Sequence, residues 1–84
     1  MPEASETRTD LEAVIRRIVD QPDAVEIEEV WDGDRSCIFE LRVDQDDLGK
    51  VIGRQGRTAR SLRTLLEARG VHEGVDYGLE ILDD

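Results

Sequence analysis

Apolar residues recur along this chain with two distinct periods. Leu11, Val14, Ile15, Ile18 and Val19 keep helical spacing and predict an amphipathic helix. Thr9-Asp10-Leu11-Glu12 has the capping-box spacing that opens such a helix. Gln21-Pro22 closes it, because the residue before a proline avoids the helical region. The period then shortens to two. Val25 to Trp31 is β-rich, Asp32-Gly33-Asp34 is a hairpin-type turn, and Cys37, Phe39, Leu41 and Val43 alternate with Ile38, Glu40, Arg42 and Asp44. Asp46 or Asp47 is placed to cap a short helix running through Ile52. A second helix is expected from Arg57 to Arg69, with Ala59, Leu62, Leu65 and Leu66 inward and Gly70 as its stop. Tyr77, Leu79 and Ile81 alternate with Gly78, Glu80 and Leu82 in a last strand. The order is α-β-β-α-α-β, an α+β domain over residues 9–84, preceded by a flexible polar tail over residues 1–8.

Length and composition narrow the possibilities. At 84 residues this is one domain with a small core. No apolar run is long enough to span a membrane, and MPEASETRTD lacks the basic and apolar regions of a signal peptide. Cys37 is the one cysteine, so no internal disulfide can form; its alternating segment reads it as a buried small hydrophobe. These features together favour the cytoplasm. His72 beside Glu73 has no surrounding ligand set, and the carboxylates are scattered, so neither metal, cofactor nor catalysis is expected.

Charge singles out one stretch. The chain carries 11 Lys+Arg against 21 Asp+Glu, net −10. Residues 50–69 hold Lys50, Arg54, Arg57, Arg60, Arg63 and Arg69 against Glu67 alone, a local +5 that leaves −15 for the rest. Taken alone, that window reads equally as a solvated helix face or as a local anion site. Gly53-Arg54-Gln55-Gly56 sits within it, between Val51-Ile52 and the Arg-studded helix. Glycines permit positive φ and close approach of a ligand backbone, and the helix that follows offers unpaired N–H groups to an anion. A phosphate-binding P-loop does not fit: Val51 stands at the first glycine and Arg57 replaces the lysine. Nor does Gly49-x-x-x-Gly53-x-x-Gly56 match a dinucleotide fingerprint. A plain helix–turn–helix connection is the structural alternative.

The run Gly49-Lys50-Val51-Ile52-Gly53-Arg54-Gln55-Gly56-Arg57-Thr58-Ala59-Arg60, followed by Leu62-Arg63-Thr64-Leu65, resembles the GXXG segment of a KH domain. The element order is similar to the prokaryotic (type II) arrangement, and more narrowly to the small bacterial single-KH family called KhpA, over residues 9–82. The resemblance implies a three-stranded mixed sheet with helices on one face, and binding of single-stranded RNA. Carried over by position, Gly53, Arg54, Gln55 and Gly56 would form the backbone clamp, Ile52 would border a base groove, and Lys50, Arg57 and Arg60 would give electrostatic support. The family further implies RNA-chaperone activity, post-transcriptional regulation, links to cell shape and envelope homeostasis, and a homodimer or a heterodimer with a KhpB-like multidomain KH protein. The chain departs from the common KH pattern at Ala59, where a larger aliphatic is usual, and in its acidity. A rival reading is a KH-fold dimerisation and interaction module whose partner binds the RNA; Trp31, expected at an edge or partner contact, and the acidic faces fit it. Single-stranded DNA is a third possible ligand.

Overall fold

The computed structural model describes residues 5–83. Helix α1 (Ser5–Ile18) leads into a hairpin of β1 (Glu26–Trp31) and β2 (Ser36–Arg42), then α2 (Leu48–Ile52), α3 (Arg57–Glu73) and β3 (Asp76–Ile81). The sheet order is β1-β2-β3, with β1 antiparallel and β3 parallel to β2. A parallel pair needs a long crossover, and α2 and α3 supply it. Residues at odd positions of the strands turn inward: Cys37, Phe39, Leu41, Tyr77 and Leu79 are buried, while their even neighbours look outward. The helices cover that inner face, meeting it with Leu11, Ile15 and Val19 of α1, Val51 of α2, and Leu62 and Leu66 of α3. Phe39 and Tyr77 stack at the centre, ring centroids 5.3 Å apart. Burial, with the Glu29 charge second, pushes the Cys37 thiol up to about 11, so it packs as an inert hydrophobe.

The architecture is the α-β-β-α-α-β expected, with four local corrections. Helix α1 starts at Ser5, inside the segment expected as a tail; residues 1–4 lie outside the described residues. The extra turn is held by tertiary contacts, which override the cap signal at Thr9: Thr7 is buried, and its hydroxyl donates to Glu73 Oε1 (3.2 Å) and Oε2 (3.1 Å). Helix α3 runs through Gly70 to Glu73 and ends at Gly74, φ +74°. Gly70 is a close-packing position instead, because a Cβ there would lie 2.1 Å from the Val75 carbonyl oxygen. The Val75 N–H bonds the Gly70 carbonyl at 3.0 Å, closing the helix as a Schellman turn does. Leu65, expected inward, is 62% exposed; the inward stripe is Ala59, Leu62, Leu66 and Gly70, and Leu65 falls to its side. Asp47 does not cap its own helix. Its carboxylate, 1% exposed, accepts from the backbone N–H groups of Asp20 (3.2 Å) and Gln21 (3.0 Å) and so seals the far end of α1. Trp31, expected at an edge or a partner contact, does lie on the edge strand β1, half-buried against the core, and donates its indole N–H to Glu29.

Candidate nucleic-acid interface

Helix α2 delivers the glycine loop. Val51 is fully buried and anchors the short helix, which leaves the next residue, Ile52, 42% exposed beside the loop. Gly53 caps α2 through its N–H to Gly49 O (2.9 Å) at φ 79°, ψ 168°. A side chain is impossible there twice over: the φ is positive, and a Cβ would lie 2.3 Å from Thr58 Oγ1. Gly56, also left-handed at φ 72°, has open space around its Cα. Between them Gln55 adopts φ 56°, ψ 26°, a left-handed conformation that costs a non-glycine residue about 1 kcal/mol or more. Gly56 N–H bonds Gly53 O (3.0 Å), and the Arg57 N–H bonds Arg54 O, folding the loop onto the start of α3. The left-handed Gly56 followed by helical Arg57 is the backbone pattern of an anion-binding nest.

An open groove of about 540 Å³ lies beside the loop. Its lining is Ile52, Gly56, Ala59, Arg60, Arg63, Leu79, Glu80 and Ile81. One wall is helical; the other is the free edge of β3. Leu82 N–H pairs with Leu41 O of β2, so the backbone groups of Leu79 and Ile81, out of phase with it, face away from β2 and into the groove. Arg63 takes one of them: its Nε (3.3 Å) and Nη2 (3.1 Å) both donate to Leu79 O. Arg60 Nη2 reaches Gln55 O (3.4 Å) and braces the loop from the helix.

Of the residues expected from sequence, Gly53, Arg54, Gln55 and Gly56 form the loop, while Ile52, Gly56 and Arg60 line the groove. Arg57 is exposed at the first position of α3, and among the described residues neither it nor Arg54 has a carboxylate partner. Lys50 is placed differently. Its ammonium is bound to Asp20 and, at 3.4 Å, to Asp47. Asp20, and after it Asp47, hold the Lys50 pKa above its ordinary value despite partial desolvation. Burial works to raise the Asp47 pKa, but the N–H groups of Asp20 and Gln21, with Lys50, outweigh it and keep the pKa low. Lys50 therefore locks α2 to the end of α1. Arg63, Leu79 and Ile81 were not among the binding residues expected from sequence, although Arg63 lay in the basic window. Arg63 follows Arg60 by one helical step of three, a signal that could have found it; nothing local marks the edge of β3.

A second hollow, about 400 Å³, lies between α1 and α3 against Leu11, Val14, Leu62 and Leu65. It is more apolar, and its one arginine, Arg69, is tied to Asp10 and Glu73 at 2.8 Å each, so it is no phosphate site. Among the described residues no His/Cys/Asp/Glu group could hold a metal ion, and no helix is long and apolar enough to cross a membrane.

The family model described as "KhpA/KhpB, KH domain" matches residues 8–81. The RNA-binding protein KhpA of Borreliella burgdorferi is 47% identical over 73 residues, covering 87% of this chain and 88% of its own. That of Aquifex aeolicus is 47% identical over 73 residues (87% and 91%), and that of Clostridium acetobutylicum 44% over 72 residues (86% and 95%).

Proposed function

Because the chain belongs to the KhpA/KhpB KH-domain family, with the type II KH arrangement of its three-stranded mixed sheet, we propose that it binds single-stranded RNA without catalysis. The Gly53–Gly56 loop and Arg54 hold phosphates, Arg57 and Arg60 supply further positive charge, and bases lie in the groove between Ile52 and the β3 edge. Lys50 contributes through the placement of α2. The observation that carries this reading is the strained loop itself. A left-handed Gln55 persists where its neighbours hold it, and such strain gathers at binding sites. It stands beside Arg54 and Arg57, whose charges no carboxylate of the described residues answers. The names of the relatives support RNA as the ligand.

A KH loop clamps about four nucleotides. Neutralising about three phosphates of a single strand gives a salt slope of about −2. One domain then binds weakly, and pairing with a second, in a homodimer or with a KhpB-like multidomain partner, raises affinity through effective concentration. RNA chaperoning and post-transcriptional regulation in the cytoplasm, with effects on cell shape, belong to the same reading.

Fluorescence anisotropy with short single-stranded RNAs at low and moderate salt tests it. The wild type binds and weakens with salt. The double change Arg54→Asp, Gln55→Asp keeps its thermal melt and loses at least about tenfold in affinity, since each charge-assisted contact contributes on the order of 1.5–3 kcal/mol. Equal binding by both proteins would make the loop a structural connection and leave RNA to a partner.

A further inference from the structure

The face of the sheet turned away from the helices is built in rows. Strand register sets Glu28 opposite Glu40 and Glu40 opposite Glu80, one carboxylate from each strand in a line across the sheet. The next row is Val30, Ile38 and Gly78. Val30 and Ile38 are 41% and 42% exposed, and glycine at 78 leaves a hollow beside Ile38, whose Cγ1 would stand 3.5 Å from a Cβ there. Beyond it, Ser36 faces Asp76. An apolar row is thus bracketed by Glu28, Glu40 and Glu80 on one side and by Ser36 with Asp76 on the other.

The acidic row conflicts with the stability of the free chain. Facing side chains on neighbouring strands start about 4.5–5.5 Å apart, and like charges there destabilise a sheet. Among the described residues, Glu28, Glu40 and Glu80 have no cationic partner. An arrangement that weakens the isolated fold, next to exposed β-branched residues, fits a surface completed by something else.

Charge decides what completes it. Nucleic acid is repelled by this face. A second copy of the chain also carries net −10 and approaches against long-range repulsion. We infer that the outer sheet face docks a Lys/Arg-rich segment of another protein, whose cations lie along Glu28, Glu40 and Glu80 while an aliphatic side chain enters the hollow over Gly78. This does not rest on the RNA reading, because Glu28, Glu40, Val30, Ile38 and Gly78 lie off the glycine loop and groove; Glu80 alone borders both. The chain then joins an RNA strand to a basic protein surface.

The test is an amide-shift NMR titration of the full chain with a synthetic peptide of alternating arginine and valine. Shifts are expected to concentrate at Val30, Ile38 and Gly78. Glu28→Lys with Glu40→Lys weakens binding at least about tenfold, as loss of complementary charge at a docked interface should. Asp46→Lys with Glu67→Lys makes the same change in net charge off this face and stays within about twofold, the scale of screened long-range attraction. Ile38→Ser, which leaves charge untouched, also weakens binding. Glu40→Gln raises the Tm of the free chain by a few degrees, because repulsion is relieved. Shifts spread over all acidic regions, with both charge-reversal pairs equal, would reduce the effect to bulk attraction and overturn the proposal. So would sedimentation showing copies paired through this face, or an unchanged Tm for Glu40→Gln.

Discussion

Arg57 and Arg69 stand at opposite ends of one helix and meet opposite fates. Arg69 is enclosed by acids: Asp10 and Glu73 at 2.8 Å, Glu6 at 3.9 Å. The Asp10 carboxylate, then Glu73, hold its pKa above the ordinary value. Glu73 in turn accepts from Tyr77 at 2.6 Å and from Thr7, so one knot ties α1, α3 and β3 together. At the other end Arg57 and Arg54 stand beside a strained loop with no acid of the described residues in reach, in a chain that has 21 acids to offer. The difference separates two uses of the same side chain. A cation answered within the fold supports the fold; one left unanswered, on rigid backbone, is available to a ligand.

The largest single effect is expected at Gly53. Gly53→Ala forces a side chain into Thr58 at positive φ and should cost on the order of 2 kcal/mol or more. It lowers Tm and removes RNA binding together, as a melt and an anisotropy titration on one sample will report. Gly56→Ala sharpens the point: the space is open, so the cost is the left-handed backbone alone, about 1 kcal/mol. Arg69→Ala should do the reverse of a loop substitution, lowering Tm while RNA affinity stays within about twofold, since its field is already neutralised by neighbours. A next, smaller effect is pH-dependent. The Tyr77 hydroxyl, followed by Arg69 and Thr7, keeps the Glu73 pKa below its ordinary 4.5 against the effect of burial. A carboxylate depressed in the folded state stabilises above its unfolded pKa, and that contribution is lost as pH falls through the folded value. Glu73→Gln should therefore lower stability at neutral pH and flatten the loss of stability below about pH 4.5 in denaturant titrations. Smallest is Lys50→Met: the salt slope of RNA binding should barely change, because the Lys50 charge already belongs to Asp20 and Asp47, and any fall in affinity should come with a lower Tm, as expected for a residue that holds α2 in place.

Local signals carried much of this molecule. The two periods placed all three strands and the inward residues Cys37, Phe39, Leu41, Tyr77 and Leu79. The loop was legible because two glycines, an apolar lead-in and a helix start lie within a few residues of one another. What escaped is what depends on partners distant in sequence. Gly70 and Gly74 look alike as helix stops, and only the approach of the Val75 carbonyl assigns Gly70 to packing. The capping box at Thr9 is well formed, yet Thr7 finds Glu73 across the fold and the helix continues through it. Lys50 reads as part of a basic window until Asp20, far back in the chain, takes its charge. Arg63 and the β3 edge become a groove wall only when β3 pairs with β2.

That parallel pairing has a consequence for the order of events. The loop and the first turn of α3 are encoded by residues 53–60, but the opposite wall of the groove comes from Leu79 and Ile81, after the whole crossover. Contacts this far apart form late, because closing the intervening chain must come first. A chain emerging N-terminus first presents its glycine loop before there is any surface on which a base could rest. On the proposed reading, gripping RNA in the groove would be a property of the finished fold, and one that a nascent chain does not yet possess.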